Sequence, residues 1–447
     1  MRTVIIGASF SGVSCALMLK RWDVEGEVVL FDKQELVPYI PNGLNWFFRK
    51  EISTLSDARF IRSNLLSEQG IDCRLGCQVV GVDYLNQSIK YVVGDRVEQI
   101  IYDNLVFATG CSAKSHVIEG IDSSRVVVTK GYEESLEAQS VLKNAQTITI
   151  IGGGPIGIEA SETLVNLGKK VILVESGSSL DFKNVDPEMT IDLKNRMRDL
   201  GIELRLSTRV RKIEDNGDHF PLLIESNQSQ WQSDAVLLAV NFRPETHLYC
   251  DDLTCLVDGT LEVDEFMRTS VPNVYAVGDA VQLPFMSSHD KRYMPLVNHA
   301  IRSSEVAASY ILGVIRPLLP SYKIIGHCHF GLYRGRIGLT EEEMIFSNHA
   351  YRTYLYENKE FGRSLNHFIC LKIITHQETG EFLGLQCLSD YNCLELLNVM
   401  SLILRSKMSI DDVIQQDFYY PVHHVNVVAE LQKACQEMSR ERRQDAD

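Results

Sequence analysis

Short apolar runs recur along the first two thirds of the chain, each followed by a stretch with helical spacing. Thr3-Val4-Ile5-Ile6, Val28-Val29-Leu30-Phe31, Leu105-Val106-Phe107, Thr147-Ile148-Thr149-Ile150-Ile151 and Lys170-Val171-Ile172-Leu173-Val174 are almost continuously hydrophobic. Such runs suit strands buried on both faces, as in parallel sheets wound by crossover helices. From about Tyr322 the pattern changes. Phe368 to Ile374, the turn Glu378-Thr379-Gly380-Glu381 and the run Phe382 to Gln386 read as an antiparallel hairpin in a separate domain with a pair of helices. Arg316-Pro317-Leu318-Leu319-Pro320 supplies two prolines for a linker into it, and the charged tail Arg440 to Asp447 is expected to fray.

A length of 447 residues fits about three domains at ~150 residues each. The formal charge of −15 argues against a nucleic-acid or anionic-membrane partner, since both favour a basic face. No apolar run approaches the ~20 residues of a membrane span. Eleven scattered cysteines and the absence of a secretory n-region point to a reducing cytoplasm.

The chemistry is concentrated where strands end in glycine. Thr3–Ile6 runs into Gly7-Ala8-Ser9-Phe10-Ser11-Gly12 and a helix. Gly7 permits the tight turn, Gly12 lets helix and strand pack closely, and Ser9 stands where a middle glycine normally admits a pyrophosphate. The following strand ends at Asp32, where a carboxylate can accept from a ribose hydroxyl. A second copy, Gly152-Gly153-Gly154-Pro155-Ile156-Gly157, carries all three glycines and is followed by a strand closing on Glu175. Glu175 suits a 2′-hydroxyl and repels a 2′-phosphate, which favours NADH over NADPH. Leu105 to Gly110 and Val274 to Asp279 add two strands ending in small-residue turns. Asp279 is placed to accept from a ribityl or ribose hydroxyl, or is simply a turn residue.

On these motifs the chain resembles the two-dinucleotide-binding flavoproteins, the pyridine nucleotide–disulfide oxidoreductases, and within them the NADH oxidase, NADH peroxidase and coenzyme A-disulfide reductase branch. The resemblance extends through Leu237 to Pro244, Asp264 to Ser270 and Asp417-Phe418-Tyr419-Tyr420-Pro421. It implies an α/β protein with two Rossmann-like dinucleotide-binding domains and a C-terminal α+β dimerisation domain. The expected boundaries are 1–115 with 245–318 for FAD, 116–244 for NADH, and 319–447 for dimerisation. A homodimer is implied, in which the C-terminal domain of one subunit completes the flavin site of the other. Expected cofactor-binding positions are Gly7, Ser9, Phe10, Ser11, Gly12, Asp32, Lys33, Asn42, Val80, Ala108, Thr109, Gly110, Gly152, Gly154, Ile156, Gly157, Glu175, Gly278, Asp279 and Ala300.

The chain departs from that branch at two positions. The redox cysteine belongs in the segment Tyr39-Ile40-Pro41-Asn42-Gly43-Leu44, and the position holds Asn42; the histidine of the first glycine loop is replaced by Phe10. An amide has no accessible redox chemistry and a phenyl ring moves no proton, so sulfenic-acid, disulfide and peroxide reduction are not expected. Cys15 reads as helix packing, Cys250 and Cys255 as ordinary thiols, and neither Cys73 with Cys77 nor Cys387 with Cys393 has the histidine company of a metal site. No metal is expected. By resemblance Glu159 lies near the nicotinamide; the competing reading is an acid stabilised by its helix N-terminus. His423 and His424 are candidate proton donors or plain interface residues.

What remains is hydride transfer from NADH to FAD, and three fates for the electrons stay open. Oxygen can take them and leave as hydrogen peroxide. A small iron–sulfur protein or a quinone can take them. The third reading is a slow or non-catalytic NAD(H)/FAD-binding protein.

Overall fold

The computed structural model describes residues 1–113, 118–217, 219–240, 242–245, 248, 252–286, 290–345, 350–361, 367–419 and 425–444. Three five-stranded sheets organise it. In the first, Val274–Ala276, Asn104–Phe107, Arg2–Ile6, Glu27–Phe31 and Asp72–Arg74 lie side by side in that order, all parallel. Ile6 pairs in register with both Phe31 and Phe107, so Gly7, Asp32 and Ala108 emerge together at the carboxyl edge. That edge, on either side of the first strand, is where open parallel sheets bind ligands.

The second sheet repeats the plan with Glu203–Arg205, Lys170–Val174, Thr147–Ile151, Ala235–Leu238 and Val126–Val127. Its strands are as apolar as the sequence shows: Ile148, Ile150, Leu173 and Ala235 have no exposed surface. Two three-stranded antiparallel sheets, Gln78–Ile101 and Val210–Ser233, attach to the first and second units respectively.

The third sheet is antiparallel, ordered Ile324–His329, Leu332–Gly338, Phe382–Ser389, His367–His376 and Tyr351–Phe361. The expected hairpin is present and longer at both ends, running to His367 and Ser389 around a turn in which Gly380 has a φ of 72°. One face packs on the helices Glu395–Arg405, Ile410–Ile414 and Val427–Gln444. The other face reaches the second unit, where Cys370 and Leu388 join Met189, Leu193 and Met197 in one core. This is the mixed α/β architecture with a C-terminal α+β domain that the motifs imply. Tyr420, Pro421, His423 and His424 lie outside the described residues, as does Cys250.

Candidate functional site: a two-nucleotide cleft

The two glycine loops are built alike. Gly7 has a φ of 108° and Gly152 one of 117°, left-handed values that favour glycine. A methyl carbon at Gly12 would lie 1.8 Å from the carbonyl oxygen of Gly7, and one at Gly157 would lie 1.9 Å from that of Gly152. Both turns are therefore as tight as a strand-to-helix phosphate loop requires, and both deliver backbone N–H groups to a helix N-terminus, Phe10–Trp22 in one case and Pro155–Asn166 in the other.

The acids after each second strand also match. Asp32 accepts from the N–H of Ala8 at 2.7 Å through Oδ2 and from that of Gln34 at 2.8 Å through Oδ1. Glu175 accepts from Gly153 at 2.8 Å and from Gly177 at 2.7 Å. Burial pushes the Asp32 carboxyl above its ordinary range, against the pull of these amides. Each acid thus clamps its own glycine loop, with lone pairs left for a hydroxyl donor.

Along the first loop runs a cleft in two connected chambers of about 200 and 340 Å³. The outer chamber contains Asp32, Lys33 and Gln34 with Cys77 and Val79. The inner one contains Phe10, Ser11, Asn42, Ala108, Gly110, Ile156, Asp279 and Ala300; Gly7, Ser9, Asp32 and Thr109 line both. Gly278 lies behind Ser11 and outside the lining: at a φ of 68°, a methyl there would meet Ser11 Oγ at 2.7 Å. Val80 is not part of this surface. It is 47% exposed, and its neighbour Val79, 4% exposed, is the residue that lines the cleft. Gly152, Gly154, Gly157 and Glu175 gather at the second loop, and Ile156 reaches from there into the inner chamber.

Asn42 sits in the left-handed region with a φ of 64°, a conformation asparagine tolerates well. Its Oδ1 accepts from Thr129 Oγ1 at 2.9 Å and its N–H donates to the Thr129 carbonyl at 3.0 Å. The amide oxygen is therefore occupied in holding the cleft wall. Phe10 stacks on Phe60 with centroids 4.1 Å apart, forming an apolar wall where the related branch carries a histidine. Glu159 is paired with Arg49, which caps the helix Gly43–Phe48: Nη1 and Nη2 are each 3.3 Å from Glu159 Oε1, while Nε pairs with Glu51 at 2.9 Å.

Sequence reasoning missed several groups. Lys130 lines both chambers and donates to Cys111 Sγ at 2.6 Å, while the Cys111 thiol donates to Asp279 Oδ2 at 3.0 Å. Burial, and then Asp279, push the Cys111 thiol up to about 11, so it stays protonated at neutral pH and is a poor nucleophile. Arg49 and Gln34, which accepts from the N–H of Tyr132 at 3.0 Å, were also passed over. The carboxylates of Asp186, Glu188 and Glu341 converge, and the Lys372 ammonium already stands among them, 2.9 Å from Asp186 and 2.6 Å from Glu341. No helix of the described residues is long and apolar enough to cross a membrane.

Comparison with known proteins follows the same lines. An NADH oxidase of Enterococcus faecalis is 25% identical over 429 residues, covering 95% of this chain and 96% of the relative. One of Streptococcus pneumoniae is 26% identical over 442 residues, with 94% and 96% covered. Among solved structures, a pyridine nucleotide-disulfide family oxidoreductase from Enterococcus faecalis superposes with a TM-score of 0.87 at 28% identity, covering 99% of this chain and 100% of that one. The water-forming NADH oxidase from Lactobacillus brevis, bound to NADH, shares the fold with a TM-score of 0.93 at 20% identity and full coverage of both chains. Residues 326–430 match the pyridine nucleotide-disulphide oxidoreductase dimerisation domain. With residues 1–304 matching the model of the pyridine nucleotide-disulphide oxidoreductases themselves, the chain belongs to that family.

Proposed function

We propose that the protein is an FAD-dependent NADH oxidase that releases hydrogen peroxide: NADH + H⁺ + O₂ → NAD⁺ + H₂O₂. The observation that carries this reading is Asn42, an amide tied to Thr129 in the cleft wall where the resembling branch keeps its redox thiol. Cys77 and Cys111 are the described cysteines in the cleft, and Cys111 is kept protonated by burial and by the Asp279 carboxylate, against the opposing pull of Lys130. With no thiolate to carry a second reduction, the two-electron product leaves as it forms.

When bound, FAD supplies the hydride acceptor and the site of oxygen reduction. The chain's own residues bind and orient. The loop Gly7–Gly12 and Asp32 would hold the FAD pyrophosphate and ribose, and Asp279 the ribityl chain. Gly152–Gly157 and Glu175 would hold NADH; the Glu175 carboxylate repels a 2′-phosphate. Ile156, Pro295, Leu296 and Val297 give the inner chamber an apolar surface that excludes water from the reacting edge. Glu159, fixed by Arg49, sets the charge on the nicotinamide side. Domain limits of 1–115 with 245–318, 116–244 and 319–447 fit these roles. A homodimer fits the dimerisation-domain match, and the free thiols fit a reducing cytoplasm.

The test is to mix FAD-loaded protein with NADH without air, follow flavin bleaching by stopped flow, then admit oxygen and assay peroxide. Rapid bleaching followed by one peroxide per NADH is expected. Water as the product overturns the peroxide assignment. Fast bleaching with sluggish reoxidation moves the acceptor to a carrier protein or quinone, and no bleaching overturns hydride transfer altogether.

A further inference from the structure

The segment that follows Glu175 connects the NADH loop to the C-terminal domain. Asp181 has a φ of 53°, in the left-handed region, and its N–H donates to the carbonyl of Gly153, the middle of the second glycine loop, at 2.8 Å. The N–H of the same Gly153 donates to Glu175. A methyl carbon at Gly153 would meet Leu180 Cδ2 at 2.9 Å, so the segment lies directly against the loop. The Asp181 side chain points the other way, into a buried ion pair with Arg334 at 2.8 Å, each side chain 2% exposed. Arg334 belongs to the strand Leu332–Gly338 of the C-terminal sheet.

Further along, that sheet holds the segment again. The N–H of Asp186 donates to Gln386 Oε1 at 2.7 Å, and the Asp186 carboxylate pairs with Lys372 at 2.9 Å. Arg336 donates to the Asn184 carbonyl at 3.2 Å. A surface loop has no need of three buried cations, Arg334, Arg336 and Lys372. Burying a charge costs several kcal/mol per ion before pairing repays it, so such a pair is weak evidence for stability and better evidence for a fixed geometry.

We propose that Arg334 of the C-terminal domain is a positioning residue for the NADH loop: through Asp181 it fixes the carbonyl of Gly153 and so sets the affinity for the pyridine nucleotide. This rests on the reading of Gly152–Gly157 as the NADH site. Arg334 touches no nucleotide; it acts through a residue that touches the loop. The domain assigned to subunit association thereby takes part in nucleotide binding, and FAD binding, on the other loop, is independent of it.

Removing Arg334 alone would strand a buried carboxylate, so the test uses an uncharged pair, Arg334→Met with Asp181→Asn, and separately Arg334→Lys. NAD⁺ is titrated calorimetrically into the FAD-loaded protein, FAD content and FAD affinity are measured in parallel, and KM for NADH is compared with kcat. In the uncharged pair the dissociation constant for NAD⁺ and KM for NADH are expected to rise about tenfold or more, with kcat and FAD affinity changing less than about twofold. Arg334→Lys, which keeps the charge and loses the planar fork, is expected to fall between. The proposal is overturned by a folded, FAD-loaded variant whose NAD⁺ affinity stays within about threefold of the parent. It is equally overturned if FAD and NAD⁺ affinities fall together, the mark of a merely structural role. Should the double variant not fold, Arg334→Lys carries the test: an NAD⁺ affinity equal to the parent's, or FAD and NAD⁺ affinities that fall together, overturns the proposal. Failure of the unaltered protein to bind NAD⁺ would instead overturn the functional reading beneath it.

Discussion

Replacing Gly157 with alanine tests the second glycine loop at its tightest point. Gly157 is not at a positive φ, so the effect is steric rather than conformational. The added carbon would lie 1.9 Å from the Gly152 oxygen, 3.1 Å from the Gly152 carbonyl carbon and 3.3 Å from Ile150 Cγ2. Reaching ordinary contact needs the helix Pro155–Asn166 to back away from the strand by about 1.5 Å. Overpacking of that kind costs ~1–3 kcal/mol of stability. It also withdraws the loop N–H groups from a phosphate, and a hydrogen bond to a charged group contributes ~1.5–3 kcal/mol. Losing one or two of them weakens NADH binding by ~3 kcal/mol, about a hundredfold in the dissociation constant. Anaerobic titration with NAD⁺ measures this, and the flavin spectrum serves as an internal control because the first loop is untouched. A folded, FAD-loaded Gly157→Ala protein that binds NAD⁺ within about threefold of the parent would refute the steric argument and the assignment of the loop.

Three further outcomes are expected. Asn42→Ala loses the Thr129 bond and places alanine at a φ of 64°; each contributes ~1 kcal/mol, so urea unfolding should show a loss of about 2 kcal/mol. Arg49→Gln removes two partly exposed ion pairs, to Glu159 and Glu51, so stability should change by less than ~1 kcal/mol while the bleaching rate under NADH falls; an unchanged rate sinks the role given to Glu159. His327 is held down to about 4 by burial and then by the neighbouring His329. Its unfolded value is near ~6.5, so the unfolded chain binds the extra proton first. Stability is then full above that value and falls as pH drops from about 6.5 towards 4, by up to ~1.4 kcal/mol per pH unit. Melting temperatures of His327→Gln should be flatter than the parent's across that window, and parallel curves would remove His327 as the cause.

The sheet strands and both phosphate turns could be read from sequence because their determinants are local. A buried run followed by glycine at set spacing constrains the backbone wherever it occurs, as Gly7 with Gly12 and Gly152 with Gly157 do. The groups that were missed act over long separations. Arg49 reaches Glu159 across 110 positions, and Cys111 meets Lys130, 19 positions away, and Asp279, 168 positions away, only in the folded chain. No periodicity announces such meetings. Val79 lines the cleft while its neighbour Val80 faces outward, because successive residues of a strand take opposite faces; the register shift between Val79 and Gly81 lies at that point. Asn42 and Phe10 could be seen as departures, but that Thr129 occupies the amide and Phe60 covers the ring is visible only in three dimensions.

The paired clamps of Asp32 on Ala8 and Glu175 on Gly153 also bear on timing. Ordering a backbone residue costs ~1–2 kcal/mol, and here that ordering is complete once the chain has folded. Arrival of a dinucleotide therefore incurs little further entropy loss in the loops, and each contact it makes counts nearly in full towards residence time. Exit, in turn, waits on breaking those contacts and not on opening a turn.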